Sequence, residues 1–229
     1  MYVIINGVSS DTIQGLQVLS LPPITKPKMR RQVDTIDGRA GDIITELGYE
    51  AYDRTITVLL HHNYDLDAIT AFFNTSGEII FSNEPDKKYY FRLLEKIDYE
   101  RAVQFKTANI TFHVQPYKYP ANETPLTVSG QNAEITVPNA GNVPSAPTIQ
   151  LTGSGTVGVY LGNAQTLQVT IPEDGITIDT EAQDATSNGQ LANRSVTGDY
   201  DSVRLQPGDN DVSFSGDVSA VITKYTRWV

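Results

Sequence analysis

Cysteine is absent from the 229 residues, which removes disulfides, thiolate metal sites and a cysteine nucleophile together. Histidine occurs only three times and tryptophan once. No run approaches the roughly 18 apolar residues of a membrane-crossing helix. The N-terminal stretch MYVIINGVSS has no basic start followed by a long apolar core, so the expectation is a chain made in the cytoplasm. Charged residues make up only 19%, low for a disordered chain, while 39% hydrophobic residues allow a real core.

What charge there is leans acidic. The net charge is −10. Residues 1–130 hold 16 acids and 13 bases, and residues 131–229 hold 11 acids and 4 bases, giving −3 and −7. An acidic surface repels phosphate, which argues against specific nucleic-acid binding.

The hydrophobic pattern is mostly of period two, the mark of half-buried strands. Phe91, Leu93, Ile97 and Tyr99 alternate, and so do Ala108, Ile110, Phe112 and Val114, with Thr107, Asn109, Thr111 and His113 on the opposite face. Asn83-Glu84-Pro85-Asp86 reads as a turn, and Pro116 and Pro120 are expected to end the second strand for want of a ladder N–H. Further strands are expected over residues 2–5, 17–21 and 55–60. One helix interrupts them: Asp65 caps it, and Leu66, Ile69, Phe72 and Phe73 share a face.

Composition changes across the proline-containing connection 116–124. We therefore expect an all-β chain with one short helix, divided into domains 1–119 and 120–229. In the second, short strands are expected over 126–128, 134–137, 148–151, 156–161, 166–171, 176–179, 203–205, 212–214 and 218–225. Turns such as Glu173-Asp174-Gly175 and Asn188-Gly189 separate many of them. That spacing predicts a β-sandwich or jelly roll.

Candidate chemistry is sparse. Gly153, Gly155 and Gly158 match a dinucleotide fingerprint, but a strand follows where the pyrophosphate needs a helix N-terminus. His61 and His62 are adjacent and so point to opposite faces of a strand end, and Asp65 and Asp67 sit where a helix begins, which disfavours a metal site. No G-x-S-x-G elbow precedes a helix, and no pair of carboxylates stands out for glycosidase work. We expect no catalytic residues, cofactor or metal.

Residues 26–31 (KPKMRR) form the one dense basic patch, without aromatics for base stacking. Residues 35–48 beside it are glycine-broken, charged and poorly periodic. They cannot bury a face in their own domain and read as an extended loop or arm ordered against another subunit. Asp37, Gly38, Arg39, Gly41, Asp42 and Glu46 are its candidate contact residues.

FSNEPDKKYY (81–90) and KIDYERAVQFKTANITFHVQPYKY (96–119) resemble the distal tail proteins of siphophages that infect Gram-positive bacteria. So do residues 37–60, the helix region 62–74, and GNVPSAPTIQLTGSG, ITIDTEAQ, NRSVTGDYDSVRLQPGDNDVSFSG and the terminal TRWV in the second domain. The resemblance implies an N-terminal β-domain like tail-tube proteins and a C-terminal galectin-like or carbohydrate-module-like sandwich. It also implies a homo-hexameric ring in the virion tail tip, joining the tail tube to a tail-associated hub or lysin protein and in many phages carrying receptor-binding proteins. It supplies no enzyme residues. DNA would pass through such a ring, and Asp34, Asp37, Asp42 and Glu46 are the candidates for a phosphate-repelling bore. The loop between Asp184 and Asn193 is expected to vary. The competing readings are a sugar-binding adhesion module, suggested by the sandwich with Tyr160, Tyr200, Tyr225 and Trp228, and a wall hydrolase, for which no site is visible.

Overall fold

The computed structural model describes residues 1–92 and 106–229. Leu93, Ile97 and Tyr99 of the expected first strand lie outside the described residues. The chain divides into two compact units, Met1–Ala121 with Val229, and Asn122–Trp228.

The first unit is built on a seven-stranded antiparallel sheet. Its strands are β1 (Val3–Ile5), β2 (Val8–Ser9), β3 (Leu16–Ser20), β6 (Tyr52–Leu60), β7 (Ser76–Phe81), β8 (Lys87–Arg92) and β9 (Thr107–Pro120). They run in the order β2-β1-β7-β8-β9-β6-β3. A separate two-stranded sheet pairs β4 (Met29–Asp34) with β5 (Ile43–Tyr49). Alternation decides which face is buried. Ile56, Val58 and Leu60 of β6 turn inward with Ile110, Phe112 and Val114 of β9, and Ile69, Phe72 and Phe73 of helix α1 (Leu66–Phe73) join the same core. The Asp65 carboxylate caps that helix, accepting from the N–H groups of Asp67 and Ala68 at 3.0 and 3.1 Å.

The opposite face of β6 and β9 is a polar ladder. Directly opposed residues pair as Asp53 with His113 (2.7 Å), Thr55 with Thr111 (3.0 Å) and Thr57 with Asn109 (3.0 Å). Cross-strand pairs of this kind contribute about 0.2–1 kcal/mol each.

The second unit is an antiparallel sandwich of six- and five-stranded sheets. The larger contains β10 (Leu126–Gln131), β12 (Thr148–Gly153), β15 (Ile176–Asp179), β16 (Asp184–Ser187), β17 (Gln190–Leu191) and β20 (Asp217–Thr223). The smaller contains β11 (Glu134–Asn139), β13 (Gly155–Leu161), β14 (Ala164–Ile171), β18 (Val196–Gly198) and β19 (Gly208–Phe214). Both contribute inward residues to one core, among them Ile149, Leu151, Val157, Leu167, Phe214 and Ile222.

Three local expectations are corrected. Strand β9 runs through Pro116 to Pro120. Its pairing with β6 stops at Tyr52↔Val114, and its register with β8 shifts between Tyr89 and Phe91, so Pro116 occupies a bulged stretch where a missing N–H is tolerated. Residues 203–205 form no strand but a single bridge, Ser145↔Leu205. The expected 184–193 loop contains the hairpin β16–β17, closed by Asn188 and Gly189 with φ of 48° and 73°, the left-handed pair that a tight hairpin turn requires.

Phe112 is fully buried and meets the rings of Phe73, Phe81 and Phe91, with centroids 6.2, 6.2 and 5.2 Å away. Phe112→Ala is expected to cost about 3–5 kcal/mol and lower the melting temperature of the first unit by roughly 10 °C or more. A melting curve that stays at the wild-type position would show that this ring cluster does not hold the sheet.

Candidate functional site

The feature that the core does not explain is the β4–β5 hairpin. Met29 pairs with Tyr49, Arg31 with Glu46, Gln32 with Thr45, Val33 with Ile44 and Asp34 with Ile43. Its residues are exposed along almost the whole length of both strands. Val33, Ile36, Ile44 and Leu47 leave about half their surface in water, at 50%, 49%, 55% and 52%. An isolated two-stranded ribbon is at best marginally stable in water, and one that displays aliphatic side chains is a surface awaiting a partner.

The expected loop is therefore half strand. Asp37, Gly38, Arg39, Gly41 and Asp42 fall in the connection between β4 and β5, where Gly38 and Gly41 adopt φ of 83° and 81°. Glu46 lies on β5 opposite Arg31, and Asp34 ends β4. The structure thus brings all seven candidate residues onto one hairpin. Its charge is balanced: residues 26–50 contain five bases (Lys26, Lys28, Arg30, Arg31, Arg39) and five acids (Asp34, Asp37, Asp42, Glu46, Glu50).

How the hairpin is rooted explains why an exposed element has a defined base. At its foot the Glu50 N–H donates to the Lys28 carbonyl at 2.8 Å, and Lys28 Nζ lies 3.6 Å from Glu50. The ring of Tyr49 meets Tyr117 edge-on at 6.1 Å, and Lys26 Nζ sits 5.6 Å over the same ring. A hollow of about 640 Å³ opens beside this foot, with Arg30, Glu50, His113 and Tyr117 in its wall.

The deeper anchor is Arg54, 1% exposed. It follows directly from the outgoing strand of the hairpin, and its Nη2 donates to the Pro23 carbonyl (3.1 Å) on the incoming side. Asn83 Nδ2 holds the adjacent Pro22 carbonyl at 2.9 Å. The guanidinium lies between the rings of Phe81 and Tyr89, 4.6 and 4.5 Å from their centroids. Its Nη1 is 3.5 Å from Glu84 Oε2, an ion pair too long to be a good hydrogen bond, and Nε and Nη1 donate to no acceptor among the described residues. The aromatic faces and the nearby carboxylate replace water around the charge.

Glu84 is the hub of this cluster. Its Oε1 accepts from Lys118 Nζ at 2.8 Å, and its Oε2 accepts from the Tyr89 hydroxyl. Burial alone raises the Glu84 pKa. The hydrogen bonds from Lys118 and Tyr89 and the charges of Lys118 and Arg54 outweigh it and hold the carboxyl below its ordinary 4.5. Burial, then the bond to Glu84, push the Tyr89 phenol far up, and burial also raises Tyr52. Sequence reading missed Arg54, although a signal was present: it lies in phase with Ile56, Val58 and Leu60 on the inward face of β6.

The discounted motifs stay apart. Gly153 ends β12 and Gly155 starts strand β13, so no helix N-terminus stands there. His61 Nε2 is 2.9 Å from Gln17 Oε1, His113 pairs with Asp53, and Asp65 is spent on its helix cap. No cluster of three or more potential metal ligands occurs among the described residues, and none of their helices is long and apolar enough to cross a membrane. Tyr160 lies on β13, Tyr200 in a short turn with its hydroxyl buried, and Tyr225 and Trp228 beyond β20.

Residues 140–228 match the family described as siphovirus-type tail component, C-terminal domain. The match lies within the second unit. Over the whole chain the fold is similar to that of the Dit protein (gp 19.1) of phage SPP1, described as a paradigm of the hub adsorption apparatus in phages infecting Gram-positive bacteria. Identity is 17%, coverage 100% of this chain and 99% of that one, and the TM-score 0.70. A chain of the phage P2 baseplate in its activated conformation with Ca is similar at 11% identity over 92% of this chain and 91% of that one, and its TM-score of 0.42 carries no argument. No curated protein matches. The resemblance to siphophage distal tail proteins is thus matched by a tail-component family signature over residues 140–228 and by the fold of a phage tail protein over the whole chain.

Removing the hub of the Arg54 cluster should be costly. In Glu84→Gln the buried guanidinium loses its countercharge, a change that typically costs about 3–5 kcal/mol. The folded-state pKa of Glu84 is lowered, so its contribution is present above the ordinary carboxyl range and lost as pH falls through the folded pKa. Melting curves should show the variant less stable at pH 7, with the gap to wild type closing below about pH 4. A gap that is unchanged at acid pH would assign the loss to something other than the carboxylate's charge.

Proposed function

We propose that the first unit closes into a hexameric ring with copies of itself, with the β4–β5 hairpin as part of the contact. The observation that carries this is the half-exposed set Val33, Ile36, Ile44 and Leu47 on a ribbon with no cover from its own unit. A closed ring of head-to-tail subunits removes such surfaces from water and uses up sheet edges. In this reading the ring sits between the tail tube and a tail-associated hub protein, bears receptor-binding proteins directly or through neighbours, and lets DNA pass through its bore. Asp37, Gly38, Arg39, Gly41, Asp42 and Glu46 supply the contact from the hairpin's tip and outgoing strand. The second unit is read as the galectin-like half of the subunit, outside the ring contact.

Deleting residues 37–46 is expected to leave folded monomers, because the deleted segment contributes nothing to either core. Light scattering coupled to size exclusion measures this. Rings formed by the deletion variant would refute the role given to the hairpin.

A phosphate-repelling bore lined by Asp34, Asp37, Asp42 and Glu46 is the second part of the proposal. The five bases of the same segment work against it, and the lining functions only if the acids face the bore and the bases face subunits. Replacing all four acids by their amides should preserve assembly and raise the affinity of the ring for duplex DNA in a salt-dependent manner. Unchanged DNA retention would remove the lining from the account while leaving the ring intact.

A further inference from the structure

The outward face of the five-stranded sheet in the second unit carries an aromatic platform, the ring of Tyr160. The registers Glu134↔Ser213, Tyr160↔Ser213 and Tyr160↔Gln165 set these four residues in one row across β11, β19, β13 and β14. In the next row Gly158 stands opposite Gln168. A side chain at Gly158 would place its Cβ 2.8 Å from Tyr160 Cε2 and 3.0 Å from the Tyr160 hydroxyl. The Tyr160 ring therefore lies down along its own strand over Gly158. Gly158 is not among the glycines of positive φ, so backbone freedom does not account for it; the missing side chain makes room for the ring. The Tyr160 hydroxyl donates to Gln165 Oε1 at 3.3 Å, which holds the ring in that pose.

Beside the platform is a hollow of about 400 Å³ with Glu134, Thr136, Asn163, Asp211 and Ser213 in its wall. That volume falls in the range of small-ligand sites. Thr136 Oγ1 donates to Asp211 Oδ1 at 2.9 Å, leaving the second carboxylate oxygen to a ligand hydroxyl. Two absences define the chemistry. None of the five strands contains a lysine or arginine, and none carries one of the exposed large hydrophobic side chains found among the described residues. A protein partner would need apolar area for a desolvated centre, and a phosphate-bearing polymer would need cations.

We propose that this face binds a neutral, hydroxyl-rich ring: a hexose or N-acetylhexosamine unit of a surface polysaccharide. The apolar face of the sugar stacks on Tyr160, whose π-face attracts C–H edges. Gln165, Ser213 and the carboxylates of Glu134 and Asp211 take its hydroxyls. The proposal does not depend on the ring, since every residue in it belongs to the second unit.

The test is saturation-transfer NMR on the full chain, with a panel of neutral hexose and N-acetylhexosamine oligosaccharides and with poly(glycerol phosphate) as the anionic comparison. At least one neutral saccharide is expected to bind with a dissociation constant of about 1 mM or tighter, a range reached by single small sites. Tyr160→Ala should weaken it by about tenfold or abolish it, and Gly158→Val, which evicts the ring from its bed, should do the same. Tyr160→Phe keeps the stacking face and should bind within about threefold of wild type, which separates a ligand role from a merely structural one. Thermal melting checks that each variant is folded. No transfer to any neutral saccharide at about 10 mM, equal binding by folded Tyr160→Ala, or a preference for poly(glycerol phosphate) would each overturn the proposal.

Discussion

A buried cation organises the described part of the first unit. Arg54 sits at 1% exposure on the inward face of β6, in a position where pattern alone would place valine or isoleucine. Removing a guanidinium from water is expensive, and a buried ion pair by itself is weak support for stability. Its surroundings show what the charge achieves instead. Two ring faces and the Glu84 carboxylate solvate it, and one of its N–H groups reaches the carbonyl of Pro23. Because β6 continues directly from the hairpin and Pro23 leads into it, one side chain fixes where both legs of the β4–β5 ribbon leave the sheet. Geometry at the base, more than net stability, is what this cluster supplies.

From that base the ribbon projects as an incomplete piece of structure. Its inward-facing backbone groups pair strand to strand, while both its outer edges and its aliphatic side chains lack cover from a neighbouring strand. A well-placed root combined with an uncovered tip suits a contact that must form in a reproducible direction. This suits the ring contact proposed for the first unit, and the second unit has a closed core of its own.

Much of the fold was legible because most strands have one wet and one dry face. β9 is the clearest case, alternating Ala108, Ile110, Phe112 and Val114 against Asn109, Thr111 and His113, and the single helix declared itself through Asp65 and its apolar face. The hairpin was not legible as strands because neither of its faces is buried, so no period of two is imposed on it. Residues 184–187 and 190–191 escaped for a related reason: short strands of Asp, Ala, Thr and Ser at a sheet margin have little apolar signal. Pro116 misled because the rule against proline in a ladder holds only where a partner strand is present on that side. For the candidate site, the odd polarity of residues 35–48 pointed to the right segment. The anchor did not emerge, since Arg54, Glu84 and Lys118 are far apart in sequence and meet only through strand register.

The central claim is that this chain is built to be completed by copies of itself. Native mass spectrometry of the unmodified protein tests it most directly. The account predicts a dominant species at six times the 25.1 kDa of one chain. A species that remains at the mass of a single chain as concentration rises would contradict it.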